Sequence, residues 1–405
     1  MVELIQGVAL WSVFIETAMA LHVLGALLFM FVTASFMRKA VRRDTPFERP
    51  ADTPHIAMMV PVGNAAPGVE PSLRSLLEQE YGHYRVMLVT ATKDESAVPL
   101  VQALCREYSH AQHIVAGPAT RCCQKNYNLL AGVASVTVDE SILVFCDSTH
   151  VAKPDFLARL TAPIARGEAL MTSGYRFVQP GDSHLGTLCQ MLSVQSIHML
   201  QAIRPITQPW GGATAISRNT FFGYNIFELW ERTVVDDFTM GPYLQGNGIR
   251  SLPVAEACLV TYLSGQSIKG WEEWFFRQLQ YLKFCMPLTW IAFTAVPVIF
   301  FLILAYVVVG LAGLMLGIGT GPSWLVSVVY LAGLAFTGIL YTKIIPNSAP
   351  LPIQLAAYAM LHIGAAVGYM RTWTTNIISW HSIRYRTKLG GDVIEIIRPT
   401  ETSDL

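Results

Sequence analysis

A few acidic and basic residues in this sequence have the types and settings that chemistry needs. Asp147 closes the run Ser141-Ile142-Leu143-Val144-Phe145-Cys146-Asp147-Ser148-Thr149-His150, where an unbroken apolar stretch of strand length gives way to polar residues. The run reads as a buried parallel strand. In open α/β sheets ligands sit beyond the carboxyl ends of the strands, so a carboxylate there is either a site residue or the cap of a turn. Asp236 and Asp237 stand side by side, behind Val234 and Val235 and ahead of Phe238-Thr239-Met240-Gly241. Adjacent carboxylates in an apolar setting suit a functional pair with perturbed ionisation. They equally suit the start of a helix, whose macrodipole favours negative charge. Lys125 opens a helical stretch, where it faces the positive end of the dipole; that fits a place beside phosphate, the alternative being a solvated lysine. His150 could add a nitrogen ligand beside Asp147, or be a plain turn residue.

These residues need a scaffold, and the surrounding pattern supplies one. Residues 44–54, with Pro46, Pro50 and Pro54 among mixed charges, read as a linker. Behind it the spacing predicts strands over 55–62, 84–90 and 113–116, helices over 71–79, 97–108 and 125–136, and the strand that ends at Asp147. Strands alternating with helices indicate α/β architecture, a largely parallel sheet covered on its faces, in one domain over 50–265.

Composition puts that domain at a membrane. With 405 residues, 52% apolar, and mean hydropathy +0.41, the chain is too hydrophobic for an ordinary soluble enzyme. Zero net charge and the lack of a basic helix or finger spacing argue against nucleic acid as a partner. Cys105, Cys122, Cys123, Cys146, Cys189, Cys258 and Cys285 contain no Cys-x-x-Cys pair, which speaks against zinc and disulfide frameworks and for reduced thiols in a cytosolic compartment.

An apolar stretch within 1–37 is long enough to cross about 30 Å of hydrocarbon and lacks a cleavage pattern, so it reads as an anchor. Glu16 inside it is either functional or close to interfacial water. Arg38, Lys39, Arg42 and Arg43 follow, which puts the amino terminus outside and the α/β domain in the cytoplasm, at a bacterial inner membrane. Residues 266–287 mix aromatic and charged side chains as a helix at the bilayer surface does. Three blocks within 288–371 can each cross the bilayer. Basic residues in the tail, 372–405, favour the inside, whereas three crossings put it outside; a re-entrant or interfacial block would reconcile the two. Residues 195–205 could form a lipid entrance, or pack in the core.

Several segments, in this order, resemble membrane-bound family-2 glycosyltransferases with a GT-A fold, most closely the ceramide glucosyltransferase branch. They are Met58-Met59-Val60-Pro61-Val62, Lys125-Asn126-Tyr127-Asn128-Leu129, Phe145-Cys146-Asp147-Ser148, Gly211-Gly212-Ala213-Thr214-Ala215 and Val235-Asp236-Asp237-Phe238-Thr239-Met240-Gly241, with a tail similar to 380–391. The resemblance implies a Rossmann-like cytoplasmic domain inserted between transmembrane helices. It further implies inverting transfer of a sugar from a nucleotide-sugar, a UDP-sugar, to a hydroxyl of a membrane lipid such as a ceramide-like lipid, a glycerolipid or a hopanoid. Asp237 then matches the family's base and Asp236 its orienting neighbour. Asp147 matches the aspartate at the metal-diphosphate position, where Mg²⁺ or Mn²⁺ would suit, and Lys125 the donor-side lysine.

The chain departs from the family pattern at two places. Thr92 stands where relatives carry the aspartate that contacts the nucleotide, with Asp94 as the nearest carboxylate. The family's Gln/Arg-x-x-Arg-Trp becomes Arg277-Gln278-Leu279-Gln280-Tyr281, with Gln280 and Tyr281 replacing arginine and tryptophan on the acceptor and diphosphate side. Glutamine lacks the bidentate grip of arginine, and tyrosine keeps a smaller stacking face. An overlapping reading, 280–284, restores a charge at Lys283. The alternatives are a processive polysaccharide synthase and a noncatalytic nucleotide- or lipid-binding member of the family.

Overall fold

Ile56, Met58 and Val60 point to one side of their strand, Ala57 and Met59 to the other, and all five are buried. A strand covered on both faces reads as a continuous apolar run, because the side chains alternate but the environment does not. The structure is a computed structural model that describes residues 2–42, 46–48, 53–317 and 323–399.

A helix, α1 (Val2–Val41), leads into the alternating part: β1 (Ile56–Pro61), α2 (Val69–Leu77), β2 (Tyr84–Thr90), α3 (Val98–Glu107), β3 (Ala111–Val115), α4 (Gln124–Val133), β4 (Ile142–Cys146) and α5 (Phe156–Ala165). Then come β5 (Met171–Pro180), α6 (Leu185–Leu200), β6 (Ala213–Ser217), α7 (Arg218–Gly223), α8 (Ile226–Trp230), α9 (Asp237–Gly246) and β7 (Leu252–Leu263). The seven strands form one sheet in the order β3-β2-β1-β4-β6-β5-β7. Every neighbouring pair is parallel except the two made by β6, which runs against β4 and β5. Helices α2, α3 and α5 cover one face; α4, α7, α8 and α9 cover the other.

After the sheet, α10 (Ile268–Cys285) and α11 (Pro287–Phe293) lead to α12 (Ala295–Leu316), α13 (Trp324–Thr342) and α14 (Leu351–Thr372). Four segments, Leu10–Val41, Pro287–Leu316, Trp324–Thr342 and Leu351–Thr372, are long and apolar enough to cross a membrane. Glu16 is not bare: the Tyr306 hydroxyl donates to it, and the Ser323 amide donates to that hydroxyl at 3.0 Å. The last turns of α1 leave this bundle and pack Ala40 against Ala255 and Cys258 of β7.

The tail folds into an antiparallel sheet of β8 (Ile377–Trp380), β9 (Ile383–Thr387) and β10 (Val393–Ile397). Gly390 and Gly391 turn the chain between β9 and β10 with φ of +100° and +87°, a region that favours glycine. The tail sheet docks on the α/β part. Val234 donates its amide to the Gly391 carbonyl at 2.9 Å, Gly390 donates to the Phe284 carbonyl at 2.7 Å, and the Gln124 amide donates to the Tyr385 hydroxyl at 3.2 Å. The tail therefore lies on the same face of the bundle as the sheet. All seven cysteines are free.

Candidate active site

The central strand β4 ends at Cys146, and the chain leaves it through Asp147 at the carboxyl edge of the sheet. Because β6 is antiparallel and pairs Ala213 with Cys146, the start of β6 lies at that same edge. The turn Trp210-Gly211-Gly212 is thus delivered beside Asp147, whose amide donates to the Gly212 carbonyl at 3.3 Å. Helix α4 brings Lys125 in its first turn, and α9 brings Asp236 and Asp237 at its start. The leads into these helices are tied together: Asn126 donates to the Thr233 carbonyl at 3.2 Å, and the Trp230 indole donates to the Asp236 carbonyl at 3.1 Å.

These elements converge on one ammonium group. Lys125 Nζ lies 2.8 Å from Asp147 Oδ1 and 3.1 Å from Asp236 Oδ2, and donates to the Gly211 carbonyl at 3.3 Å. Asp237 is held differently, by backbone alone. Its Oδ2 accepts from the Gly211 amide at 2.7 Å and its Oδ1 from the Phe238 amide at 2.6 Å. Asp237 is thus the first residue of α9, where the macrodipole favours negative charge, and its charge also reaches Lys125. Gly211 is required by the crowding, since a Cβ there would come within 2.0 Å of Asp236 Oδ2.

The electrostatics divide the carboxylates. Burial raises the Asp237 pKa well above the ordinary carboxylate range, Asp236 adds to the rise, and Lys125 and the two amides only partly oppose it. Asp147 is the reverse. Burial pushes it up, but Lys125 and then His150 outweigh that and hold it below the usual range. Burial alone would lower the Lys125 pKa; Asp147, Asp236 and Asp237 hold it well above its ordinary value, so it stays charged. Two carboxyl groups whose environments push them apart can take different roles, one as a proton acceptor and one as a fixed charge.

Beneath Asp147 is a layer of which the sequence singled out only His150. His150 Nε2 lies 3.7 Å from Asp147 Oδ2, its Nδ1 lies 3.0 Å from the Thr261 hydroxyl, and its ring stands 5.3 Å from that of Trp210. Burial, then Arg176, lowers the His150 pKa to about 4, so the ring is neutral. Arg176 sits over the Trp210 ring, donates to the Thr261 hydroxyl at 3.1 Å, and its Nε is buried with no partner among the described residues. Tyr175 packs against Trp210 and against His198, whose two ring nitrogens are buried with no hydrogen-bond partner among the described residues. Their spacing along the chain gives no local signal. Trp210, directly before Gly211-Gly212, is the one a closer reading of that segment would have found.

Among the described residues no three His, Cys, Asp and Glu side chains cluster as a metal cage. Asp147, about 30% exposed, and His150 form a pair. Magnesium and manganese that share diphosphate oxygens need only one or two protein ligands, so the donor set fits that kind of ion and not a cage.

The other expected residues are placed less centrally. Thr92 and Asp94 lie exposed on the loop after β2, at the same sheet edge, with no hydrogen bond or ion pair to the Lys125 cluster among the described residues. Tyr281 is near the cluster: burial raises its pKa, and the charges of Arg277, Asp237 and Lys125 reach it. Its ring stands 6.4 Å from that of Phe238. Arg277 has no hydrogen-bond or ion-pair partner among the described residues, and its charge is felt by Tyr281 and by His381 in the tail. Gln278 donates to the Trp274 carbonyl of its own helix at 3.3 Å. Gln280 turns away and donates to the Ile377 carbonyl at 2.8 Å. Lys283 does not restore a charge to the site: it binds the Thr372 and Thr375 carbonyls and Asn376 Oδ1 at 2.6, 2.9 and 2.9 Å. The end of α14 and the following turn present three oxygens there, which a buried ammonium needs.

A family model described as Glycosyl transferase family 21 matches residues 17–393. No curated protein matches the chain. Among solved structures, the chain is similar to the mannosyltransferase PcManGT from Pyrobaculum calidifontis in complex with GDP-Man and Mn²⁺, with TM-score 0.55 and 17% identity over 88% of this chain and 98% of that one. GalNAc-T7 with UDP, GalNAc and Mn²⁺ aligns over 60% of this chain and 51% of that one, with TM-score 0.41 and 13% identity. The likeness to PcManGT is one of fold: a parallel-dominated α/β sheet of the GT-A type.

Proposed function

The chain belongs to glycosyl transferase family 21, and from that premise we propose that it is an inverting transferase. It moves a sugar from a nucleoside diphosphate sugar, a UDP-sugar, to a hydroxyl of a membrane lipid. The observation that carries this reading is Lys125 joined to Asp147 and Asp236 next to a carboxyl group, Asp237, that is buried and reluctant to ionise. A base must lie near the reacting oxygen with a pKa close to working pH, and positive charge must meet the departing diphosphate.

In this mechanism the acceptor hydroxyl gives its proton to Asp237 as its oxygen bonds to the anomeric carbon. The bond from that carbon to the diphosphate oxygen breaks on the opposite face, and the nucleoside diphosphate leaves. Asp237 is aimed by two backbone amides, so its orientation does not depend on a mobile side chain. Lys125, with Arg176 and Arg277, supplies fixed positive charge on the diphosphate side. A divalent ion, when bound by Asp147 with His150, would neutralise the diphosphate; Mn²⁺ accompanies the donor in the complex of PcManGT. Thr92 and Asp94 reach the nucleotide from the loop after β2. Asp236 keeps Lys125 in place and raises the affinity of Asp237 for a proton.

The membrane arrangement follows from where the tail lies. With the tail docked on the α/β part, the three helices after it cannot all cross, because three crossings would separate the two. We infer that α14 is the one that stays on the near side. It packs Gly364 against the Trp271 ring and Gly368 against Leu279, both of α10, and its end is held by Lys283. Both α10 and the basic tail then face the cytoplasm, which removes the conflict between charge bias and crossing number.

The test is nucleotide release from sugar nucleotides by nanodisc-held protein, with and without membrane lipid, for the native chain and Asp237→Asn. The variant keeps nucleotide binding and loses lipid-dependent release by about 10²–10⁴-fold. Undiminished release in the variant refutes the role of Asp237.

A further inference from the structure

Between α1, α6, α13 and α14 lies a cavity of about 190 Å³, which shares no lining residue with the Lys125 cluster. Tyr341 and Tyr358 line it and are buried, whereas Ala26, Phe29, Ser196 and His362 line it and are only half buried, so the cavity opens at the second set. Among the described residues no Lys, Arg, Asp or Glu lines it. Its polar groups are hydroxyls and one imidazole, set among α1, α13 and α14, which are apolar enough to span a membrane, and α6 of the α/β part. Polar groups in such surroundings are costly unless they have partners or a function.

Most of these groups are satisfied. Tyr341 shares a hydrogen bond with Ser196 and reaches the Leu192 carbonyl at 3.1 Å, and Tyr358 donates to the Thr337 hydroxyl at 3.3 Å. The exception is His362. Its Nδ1 lies 2.8 Å from the Tyr358 carbonyl, which can only accept, so Nδ1 carries the hydrogen. The neutral ring then offers Nε2 as an acceptor, and no described residue donates to it. At roughly 30 Å³ for each water-sized group, the cavity has room for about six, the size of a lipid's polar end and not of a whole lipid.

We propose that this cavity is a lipid-binding site separate from the transfer site, and that it takes the uncharged, hydroxyl-bearing end of a bilayer lipid. The lipid hydroxyl donates to His362 Nε2, and the acyl chains leave past Ala26 and Phe29. The absence of charge in the lining disfavours phosphate-bearing heads, which would arrive without a counter-charge. The inference rests on the proposed function only in taking α1 and α13 to cross a bilayer and α14 to lie against it on the near side.

The experiment uses the full chain in phosphatidylcholine nanodiscs with a photoactivatable 1,2-diacylglycerol, or with its 3-O-methyl ether, which lacks the donor. Peptides labelled on illumination are located by mass spectrometry. The diacylglycerol labels α14 around residues 358–362 about fivefold more than the ether, the worth of one net hydrogen bond. His362→Phe reduces its labelling to that of the ether, and Ala26→Trp, which fills the cavity, abolishes labelling by both. A matching unfolding temperature certifies that each variant is folded. Equal labelling by the two probes, or labelling unchanged in folded His362→Phe, overturns the proposal. Nucleotide release from sugar nucleotides is followed in the same discs supplemented with membrane lipid. Labelling without release refutes the transferase reading and leaves this site standing; release without labelling refutes the site alone.

Discussion

Replacing Lys125 by Met removes a charge and little volume, which isolates the electrostatic role of this residue. Asp236 is 2% exposed, and Lys125 at 3.1 Å is its only cationic partner among the described residues. Removing one member of a buried pair and stranding the other costs about 3–5 kcal/mol. Asp147 adds little, because it is about 30% exposed and keeps His150 beside it. At roughly 2–4 °C per kcal/mol for a domain of this size, unfolding moves down by roughly 6–20 °C. The loss depends on pH. Without Lys125, which opposes the rise at Asp237, that buried carboxyl holds its proton to still higher pH in the folded chain than in the unfolded one. A carboxyl whose folded pKa is raised contributes stability that is present at low pH and lost as pH rises through the folded value. The deficit of the variant is therefore smallest near pH 5 and largest near pH 8. Tryptophan fluorescence of nanodisc-held protein, heated at both pH values, measures it. A variant that unfolds within roughly 4 °C of the native chain at pH 8, or with the same deficit at both pH values, refutes the reasoning.

Gly211→Ala forces a methyl group into Asp236 and shifts the amide that aims Asp237; a displacement of about 1 Å there lowers kcat by about 10²-fold, read as lipid-dependent nucleotide release, while nucleotide affinity changes far less. Because Asp237 must be ionised to accept a proton and its pKa is raised, kcat/KM falls on the acid side well above the pH where an ordinary carboxylate titrates. Asp236→Asn, which removes the second cause of that rise, moves the acid limb to lower pH; a limb that stays in place counts against the assignment. Asp147→Asn raises the Mn²⁺ concentration needed for half-maximal release by at least about tenfold, measured by metal titration after chelation.

Much of the scaffold was legible because it is written in local pattern. The strand at 84–90 lies where the spacing predicts it, β4 ends at the residue before Asp147, and the helices α2, α3 and α4 differ from their expected bounds only at their ends. Period-two burial on two covered faces and helix-length apolar blocks are properties of neighbouring residues, and a chain can be read for them. Asp147, Lys125 and the Asp236-Asp237 pair were legible for a similar reason: each sits at the end of an element, where the change of pattern is itself the signal.

What the sequence by itself determined was the set of elements, the membrane character and the residues worth attention. Only the tertiary structure decided how those residues are partnered. Asp236 goes to Lys125 and Asp237 to backbone amides, because antiparallel β6 brings Gly211 between them. Gln280 and Lys283, in the segment expected to serve the acceptor and diphosphate side, are turned to the tail instead, since carbonyls some ninety residues later offer the nearer acceptors. The layer of Tyr175, Arg176, His198 and Trp210, and the side on which the tail lies, come from contacts between distant parts of the chain. Such contacts are fixed by the packing of whole elements, and no stretch of neighbouring residues records them.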